Sequence, residues 1–510
     1  MRTPLLLKTS LTAAACAVSP FLVAQQHPHI ILIISDQHRG DAMNCMGNPS
    51  VISPNMDALA QDGTLFLNGY SSTPSSTPAR SGLLTGLSPW HHGMLGYGRV
   101  GNHYKYEMPR MLGKLNYYSF GIGKMHWYPQ KALHGFEGTL VDESGRTESP
   151  DFISDYRLWF KLQAPGVNPD ATGIGWNDHQ AGVYKLPEQL HPTAWTGETA
   201  CEMIKNYDNG DKPLFLKVSF ARPHSPYDPP QRLLDEYKNR DVPAPWIGEW
   251  CKDKKYAAPA DPQKDKSSAY GNYGDEYAKN SRRHYYANVT FIDEEIGKVI
   301  RTLKEKGMYE NSLIIYVSDH GDMMGDHYHW RKTYPYEGST HVPYIVKWPA
   351  KYNFPKGGKL TQPVELRDLL PTFLEIAGSN VPSDMDGQSL LKLMEGKANE
   401  WRKYIDLEHA TCYSADNYWC GLTDGKIKYI WRLHSGTEEL FDLSKDPHEL
   451  KNVVADKKYK RQLEELRQAM VQHLSERGEE FVKDGKLQVL KRTVLYSPLF
   501  PDKNPVDTGI

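Results

Sequence analysis

The 510-residue sequence has almost no imbalance of charge: 60 Lys and Arg stand against 62 Asp and Glu, for a formal net charge of −2. Attraction to nucleic acid or to an anionic membrane requires a sustained basic surplus, so neither is an expected partner, and any anion site must be a local cluster. No segment beyond the N-terminus stays apolar for about 18 residues, which argues against a transmembrane anchor. Cysteine is scarce, with 6 in all. Loss of an N-terminal leader would leave Cys45, Cys201, Cys251, Cys412 and Cys420, an odd set that cannot pair completely. Cys412 and Cys420 could close a short loop in an oxidising compartment, and the alternative of free thiols stays open. Internal repeats and low-complexity tracts are also missing, which sets aside solenoids and disordered linkers.

What the N-terminus does contain reads as an export signal. Arg2 and Lys8 form the positive flank, Leu5 to Val23 is mostly apolar and small, and Leu22-Val23-Ala24 precedes a cleavage point at Gln25. Residues 1–24 are therefore assigned as a signal peptide and the protein as exported, periplasmic or secreted. Cys16 follows three alanines, which leaves lipoprotein-type anchoring as the less favoured alternative.

A chain of this length divides most naturally into a large and a small unit, here 25–380 and 381–510. In the first, apolar β-branched runs end in residues capable of chemistry. Ile30 to Ile34 leads into Ser35-Asp36-Gln37, Leu214 to Phe220 into Arg222-Pro223-His224, and Leu313 to Val317 into Ser318-Asp319-His320. A helical stripe between Tyr285 and Lys306 separates such runs, so the expected fold class is α/β: a large, mostly parallel mixed sheet flanked by helices. Ligands of such sheets gather at the carboxyl ends of the strands. After about residue 380, short alternating runs at 404–408, 418–422, 426–433 and 439–443, then a polar helix over 456–476, predict a small antiparallel sheet with one helix.

The stretch Ser76-Thr77-Pro78-Ala79-Arg80 places a small hydroxyl at a predicted helix N-terminus with an arginine one turn on. In isolation this is an ordinary way to start a helix. The Asp36-Gln37 and Asp319-His320 pairs are, in isolation, caps or turns; together they provide oxygen and nitrogen donors able to enclose one divalent cation.

Taken jointly, these segments resemble the type I sulfatases of the alkaline phosphatase superfamily, in their serine form. The signature Cys/Ser-x-Pro-x-Arg is matched by Ser76 to Arg80, with Thr85-Gly86 further on. Gly123-Lys124-Met125-His126, Pro223-His224-Ser225-Pro226, the late Ser318-Asp319-His320-Gly321 segment and Arg331-Lys332-Thr333 follow in the family's order. Asp442 to Glu449 is similar to its C-terminal hairpin, so the likeness spans nearly the whole chain. The resemblance implies that Ser76 is converted to formylglycine (3-oxoalanine) by a maturing enzyme. It implies one Ca²⁺, with Mg²⁺ not separable at this stage, held by Asp36, Gln37, residue 76, Asp319 and His320. Gln37 stands where a second Asp is commoner, which removes a negative charge and should weaken the metal site. His341 replaces a frequent arginine.

The chemistry has a physical logic of its own. A sulfate ester is a monoanion with a poorly acidic leaving group, so its hydrolysis needs cations on sulfur's oxygens and a proton donor. On the family's pattern Lys124 and Lys332 bind the sulfate, His224 is the general acid, His126 the base, and Arg80 supports the hydrated aldehyde; exchanged histidine roles stay open. An unmodified serine is a weak nucleophile with no internal exit from its sulfate ester, a problem the aldehyde hydrate removes. With 12 Trp and 31 Tyr available for stacking, sulfated glycans are the expected substrate, with Glu408, His409, Trp431 and Arg432 as candidate sugar contacts. The rivals are a phosphonate or phosphodiester hydrolase of the same superfold and a catalytically silent glycan-binding protein.

Overall fold

The computed structural model describes residues 27–502; the expected leader, with Cys16, lies outside them. Eight strands form the main sheet, in the order Gly138–Val141, Tyr118–Gly123, Leu214–Pro223, His29–Asp36, Ser312–Ser318, Tyr344–Lys347, Thr64–Phe66, Gly358–Leu360. Only Tyr344–Lys347 runs antiparallel to its neighbours. The sheet is thus mostly parallel and mixed, as the strand composition implies.

The central strand shows why its sequence is an unbroken apolar run. Ile31 and Ile33 project into one core, shared with the helix Asp275–Glu305, whereas Ile30, Leu32 and Ile34 project into another, shared with the helices Ser76–Thr85 and Leu369–Ile376. A strand covered on both faces has no side left for polar residues. All five of these side chains are fully buried, each contributing roughly 1.5–3 kcal/mol relative to exposure. The helix Asp275–Glu305 begins ten residues before the periodic stripe at Tyr285, because its first turns cover loops rather than the sheet.

Strands Ile405–His409, Trp419–Thr423, Ile427–Arg432 and Glu438–Asp442 make an antiparallel sheet, with the helix Lys460–Leu474 against it. The segment between the two sheets belongs physically to the larger core. Met385, Leu390, Leu391, Leu393 and Trp401 join the cluster that covers the main sheet, and the Gly387 N–H donates to the Gly86 carbonyl at 2.9 Å.

All five described cysteines are free, so the Cys412–Cys420 loop is not closed. Cys420 faces the core of the small sheet, whereas Cys412 lines the main cleft. Among the described residues no helix is long and apolar enough to cross a membrane.

Candidate active site

Three strand ends and one helix start converge. Asp36 closes the central strand, where the pairing register with Leu214–Pro223 shifts between Ser35 and Asp36. Its carbonyl accepts the His224 N–H at 3.0 Å, which ties two strand ends together. Asp319 and His320 follow the strand on the other side. Ser76 opens the helix Ser76–Thr85 and is 2 % exposed, with Oγ 3.0 Å from His320 Nε2 and 3.4 Å from Asp36 Oδ2. A helix N-terminus carries partial positive charge, so a nucleophile and an anion are both favoured there.

Arg80 organises the floor. Its Nε donates to Asp319 Oδ2 at 2.9 Å, Nη2 to Asp36 Oδ2 at 3.1 Å, and Nη1 to the Lys124 carbonyl at 2.7 Å and Ser219 Oγ at 3.0 Å. Those contacts brace the two carboxylates and the Lys124 loop, rather than Ser76 itself. Lys124 Nζ pairs with Asp36 Oδ2. Burial would raise the Asp36 carboxyl, but Lys124, His224, Arg80 and His320 outweigh it and hold it well below the usual carboxylate range.

Asp36, Asp319 and His320 place their donor atoms within 4.8 Å of one another. Asp36 Oδ1 is buried without a hydrogen-bond partner, and the His320 Nδ1–H is spent on the Gly321 carbonyl at 2.9 Å, which leaves the Nε2 lone pair turned toward Ser76. An orphaned carboxylate oxygen and an imidazole lone pair met by the Ser76 hydroxyl fit a divalent cation. Gln37 departs from its expected place among the ligands. Its Oε1 accepts from Lys332 Nζ at 2.6 Å and its Nε2 donates to Asp322, so the amide is committed to holding Lys332.

Lys332 also donates to His224 Nε2 at 2.7 Å, and His224 Nδ1–H goes to the Ser225 carbonyl at 2.9 Å. Burial, reinforced by Arg331, lowers the Lys332 ammonium to about 7, and burial with Arg146 lowers Lys124 to about 8. Burial and then Lys332 push His224 well below its ordinary value; burial, Lys124 and Arg146 do the same to His126. Both environments favour the neutral imidazole. His126 adopts a left-handed backbone (φ 58°), leaves Nδ1 unpartnered and sits 3.5 Å from the Tyr97 hydroxyl through Nε2.

These groups open onto a cavity of about 320 Å³ that reaches Ser76, His126 and Lys332. A larger cavity of about 610 Å³ lies elsewhere, beside the stacked Trp246 and His448, and reaches none of the cluster; its Arg39 and Arg282 are already paired with Asp41 and Asp326.

The proposed sugar contacts on the small sheet are structural. Glu408 is clamped by Arg477 at 2.6 and 2.8 Å with both side chains buried. Trp431 packs into the small core, and Arg432 pairs with Glu439 at 2.8 Å and receives no cavity surface. His409 is 1 % exposed and accepts the Ser75 hydroxyl at Nε2, 2.8 Å, so it holds the residue before Ser76 instead of a ligand. Sequence reasoning missed four residues that matter. Glu143 Oε1 accepts the Met125 and His126 N–H groups at 3.0 and 2.9 Å. Asp322, only three residues past Asp319, secures Gln37 and accepts from Tyr227 at 2.7 Å. Arg146 and Arg331 line the cavity. Asp322 sat inside a noticed motif; Arg146, in a turn of small and polar residues, gave no signal.

Comparison with known proteins agrees with this geometry. The sulfatase family matches residues 28–379, and the family described as N-sulphoglucosamine sulphohydrolase, C-terminal, matches residues 325–476. The chain is 36 % identical over 474 residues to an arylsulfatase of Clostridium perfringens, covering 90 % of this chain and 97 % of that one. It is 27 % identical over 531 residues to an N-acetylglucosamine-6-O-sulfatase of Bacteroides thetaiotaomicron, with 92 % and 90 % covered. A phosphonate monoester hydrolase structure from Agrobacterium radiobacter superimposes with a TM-score of 0.73 at 23 % identity, over 88 % of this chain and 96 % of that one, and shows the shared fold. With Ser76, the carboxylates and the lysines gathered at one sheet edge, the chain belongs to the sulfatase family of the alkaline phosphatase superfamily and is a sulfuric ester hydrolase.

Proposed function

We propose that the protein is an exported sulfatase that removes sulfate from sulfated glycans. The observation that carries this reading is the gathering of Asp36, Ser76, Asp319 and His320 beside two lysines and two neutral histidines in one cleft. Its glycan half is supported by the N-acetylglucosamine-6-O-sulfatase relative. In the active form residue 76 would be formylglycine and Asp36, Asp319 and His320 would hold a divalent cation, supplying a hydrated nucleophile and charge neutralisation.

The chain's own groups have definable tasks. Lys124 and Lys332 bind sulfate oxygens and stabilise charge there. Lys332 and His224 share one proton across 2.7 Å, and that pair supplies the proton to the departing alcohol oxygen. His126, with its unpartnered Nδ1 buried beside the cleft, takes up a proton from residue 76. Because Ser76 is almost fully buried, its conversion by a maturing enzyme would precede folding. Ca²⁺ is the first candidate cation. With Gln37 committed elsewhere, the imidazole of His320 makes the donor set less purely oxygen and favours testing Mn²⁺ beside Ca²⁺ and Mg²⁺.

The test is to co-express the chain with a sulfatase-maturing enzyme and weigh the peptide containing residue 76, which should lose two hydrogens. Chelated protein is then reloaded with each cation and offered sulfated sugars, aryl sulfates, and matched phosphate and phosphonate esters. Sulfate release that returns with one cation is expected. Faster hydrolysis of the phosphorus esters would instead select the phosphonate or phosphodiester hydrolase, and unchanged mass from the native host would select the silent binder.

A further inference from the structure

We propose that Arg146 and Arg331 form a second anion subsite beside the sulfate-binding group, and that the substrate carries a second fixed negative charge, a carboxylate or a further sulfate, next to the ester that is cleaved. This inference rests on the sulfatase reading and narrows its substrate.

Charge accounting around the cleft motivates it. Arg80 and Lys124 face Asp36 and Asp319, so their charges are matched by the floor. Lys332 rests on a neutral amide and a neutral imidazole. Arg146 and Arg331 form no ion pair among the described residues, and no carboxylate is among the side chains lining the cavity. Three cationic side chains therefore face one cleft, before a divalent cation adds to them. A sulfate monoester brings a single negative charge. A second anion offsets part of the positive charge that remains.

Both guanidiniums are held ready with donors to spare. Arg331 lies over the Tyr413 ring at 4.6 Å and gives Nη1–H to the Ser267 carbonyl at 2.9 Å, while its Nε is buried without a partner. Its backbone is left-handed (φ 70°) and pinned on both sides, N–H to Asp322 Oδ1 at 3.1 Å and carbonyl from the Met323 N–H at 2.7 Å. Arg146 is fixed through its N–H to the Glu143 carbonyl at 3.0 Å and its own carbonyl to Gln130 Nε2 at 3.2 Å, and its Nη1 is likewise buried and unpartnered. Unfilled buried donors are costly to leave and are filled by an oxyanion at little reorganisation. The planar fork suits carboxylate and sulfate alike, and a guanidinium loses less hydration than an ammonium on binding.

The test uses full-length, unconverted Ser76 protein loaded with cation, so that ligands bind without turnover, and isothermal titration with three sets of probes. These are monosulfated N-acetylhexosamines, their N-sulfated counterparts, and the matching disaccharides in which a uronate adjoins the sulfated sugar. Wild type should bind the second or third set at least about tenfold tighter than the first, and whichever set wins identifies the second anion as sulfate or carboxylate. Arg146→Gln and Arg331→Gln should each bring that ratio below about threefold, and Arg331→Lys, which keeps the charge but not the fork, should restore part of it. Because the readout is a ratio within one variant, a general loss of folded protein cancels. Equal binding of all three sets by wild type, or a ratio unchanged in both glutamine variants, overturns the subsite and leaves the sulfatase reading standing. Wild type that binds none of them overturns the subsite and the sulfated-glycan reading together.

Discussion

Replacing Arg80 by lysine keeps the charge and removes the fork, which makes it the sharpest probe of how the floor of the cleft is built. The guanidinium spreads four hydrogen bonds over three nitrogens, two to carboxylates and two to neutral oxygens. An ammonium presents all its donors from one atom on a shorter reach, so it satisfies two of these acceptors at best. Losing one charge-assisted bond at about 1.5–3 kcal/mol and one bond to a neutral oxygen at about 1 gives an expected destabilisation of about 2.5–4 kcal/mol. Asp36 and Asp319 also lose their common brace, so sulfate release should fall about 10- to 100-fold, the range seen when groups that orient metal ligands are removed. Guanidinium denaturation followed by tryptophan fluorescence reads the first quantity as a midpoint shift at constant slope, and turnover of an aryl sulfate at saturating cation reads the second. Lys105→Ala, which breaks an exposed pair with Asp384, serves as the control and should change neither. A lysine variant within about 1 kcal/mol and about threefold of wild type would refute the reasoning, because it would mean that charge alone, not the geometry of the fork, holds the two carboxylates.

The same buried contacts set three further expected outcomes. The buried Lys332 ammonium is depressed from 10.5 to about 7 in the fold, so between roughly pH 7 and 10.5 the unfolded chain binds the extra proton and this residue makes stability rise with pH; in metal-free protein Lys332→Met should flatten that rise relative to wild type, seen in denaturation midpoints across the range. Glu143→Gln keeps an oxygen for the Met125 and His126 N–H groups and should retain activity, whereas Glu143→Ala should lose about tenfold or more in kcat/KM; equal activity of the two would show that the loop does not need this acceptor. Glu408→Ala strands the buried Arg477 and should cost about 3–5 kcal/mol of stability with KM unchanged in the protein that remains folded; a raised KM at intact stability would return Glu408 to the sugar-binding surface.

The residues best read from sequence are those whose chemistry and local position coincide. Ser76 sits where a helix starts, and Asp36, His224, Asp319 and His320 sit where buried strands run out, so their arrival at one sheet edge follows from the parallel arrangement alone. The small sheet was equally legible, because its four runs alternate and Asp424-Gly425 marks a hairpin. Its functional reading failed because alternation says which face a residue takes, not what stands opposite: Glu408 meets Arg477, 69 positions away, and Trp431 meets a core. Gln37 was misassigned for the same reason. An amide beside Asp36 can reach a cation or a lysine, and the choice depends on Lys332 arriving from 295 residues further along the chain.

Sequence alone determined the α/β architecture, the family and the place of Ser76 at a helix start, since periodicity, strand-end polarity and a contiguous motif are all local properties. Only the folded structure decided which polar side chains meet: that Arg80 braces carboxylates, that Gln37 serves Lys332, and that Arg146 and Arg331 stand unpaired at the cleft. Ion pairing and desolvation are relations between residues far apart in the chain, and no spacing within a segment encodes them.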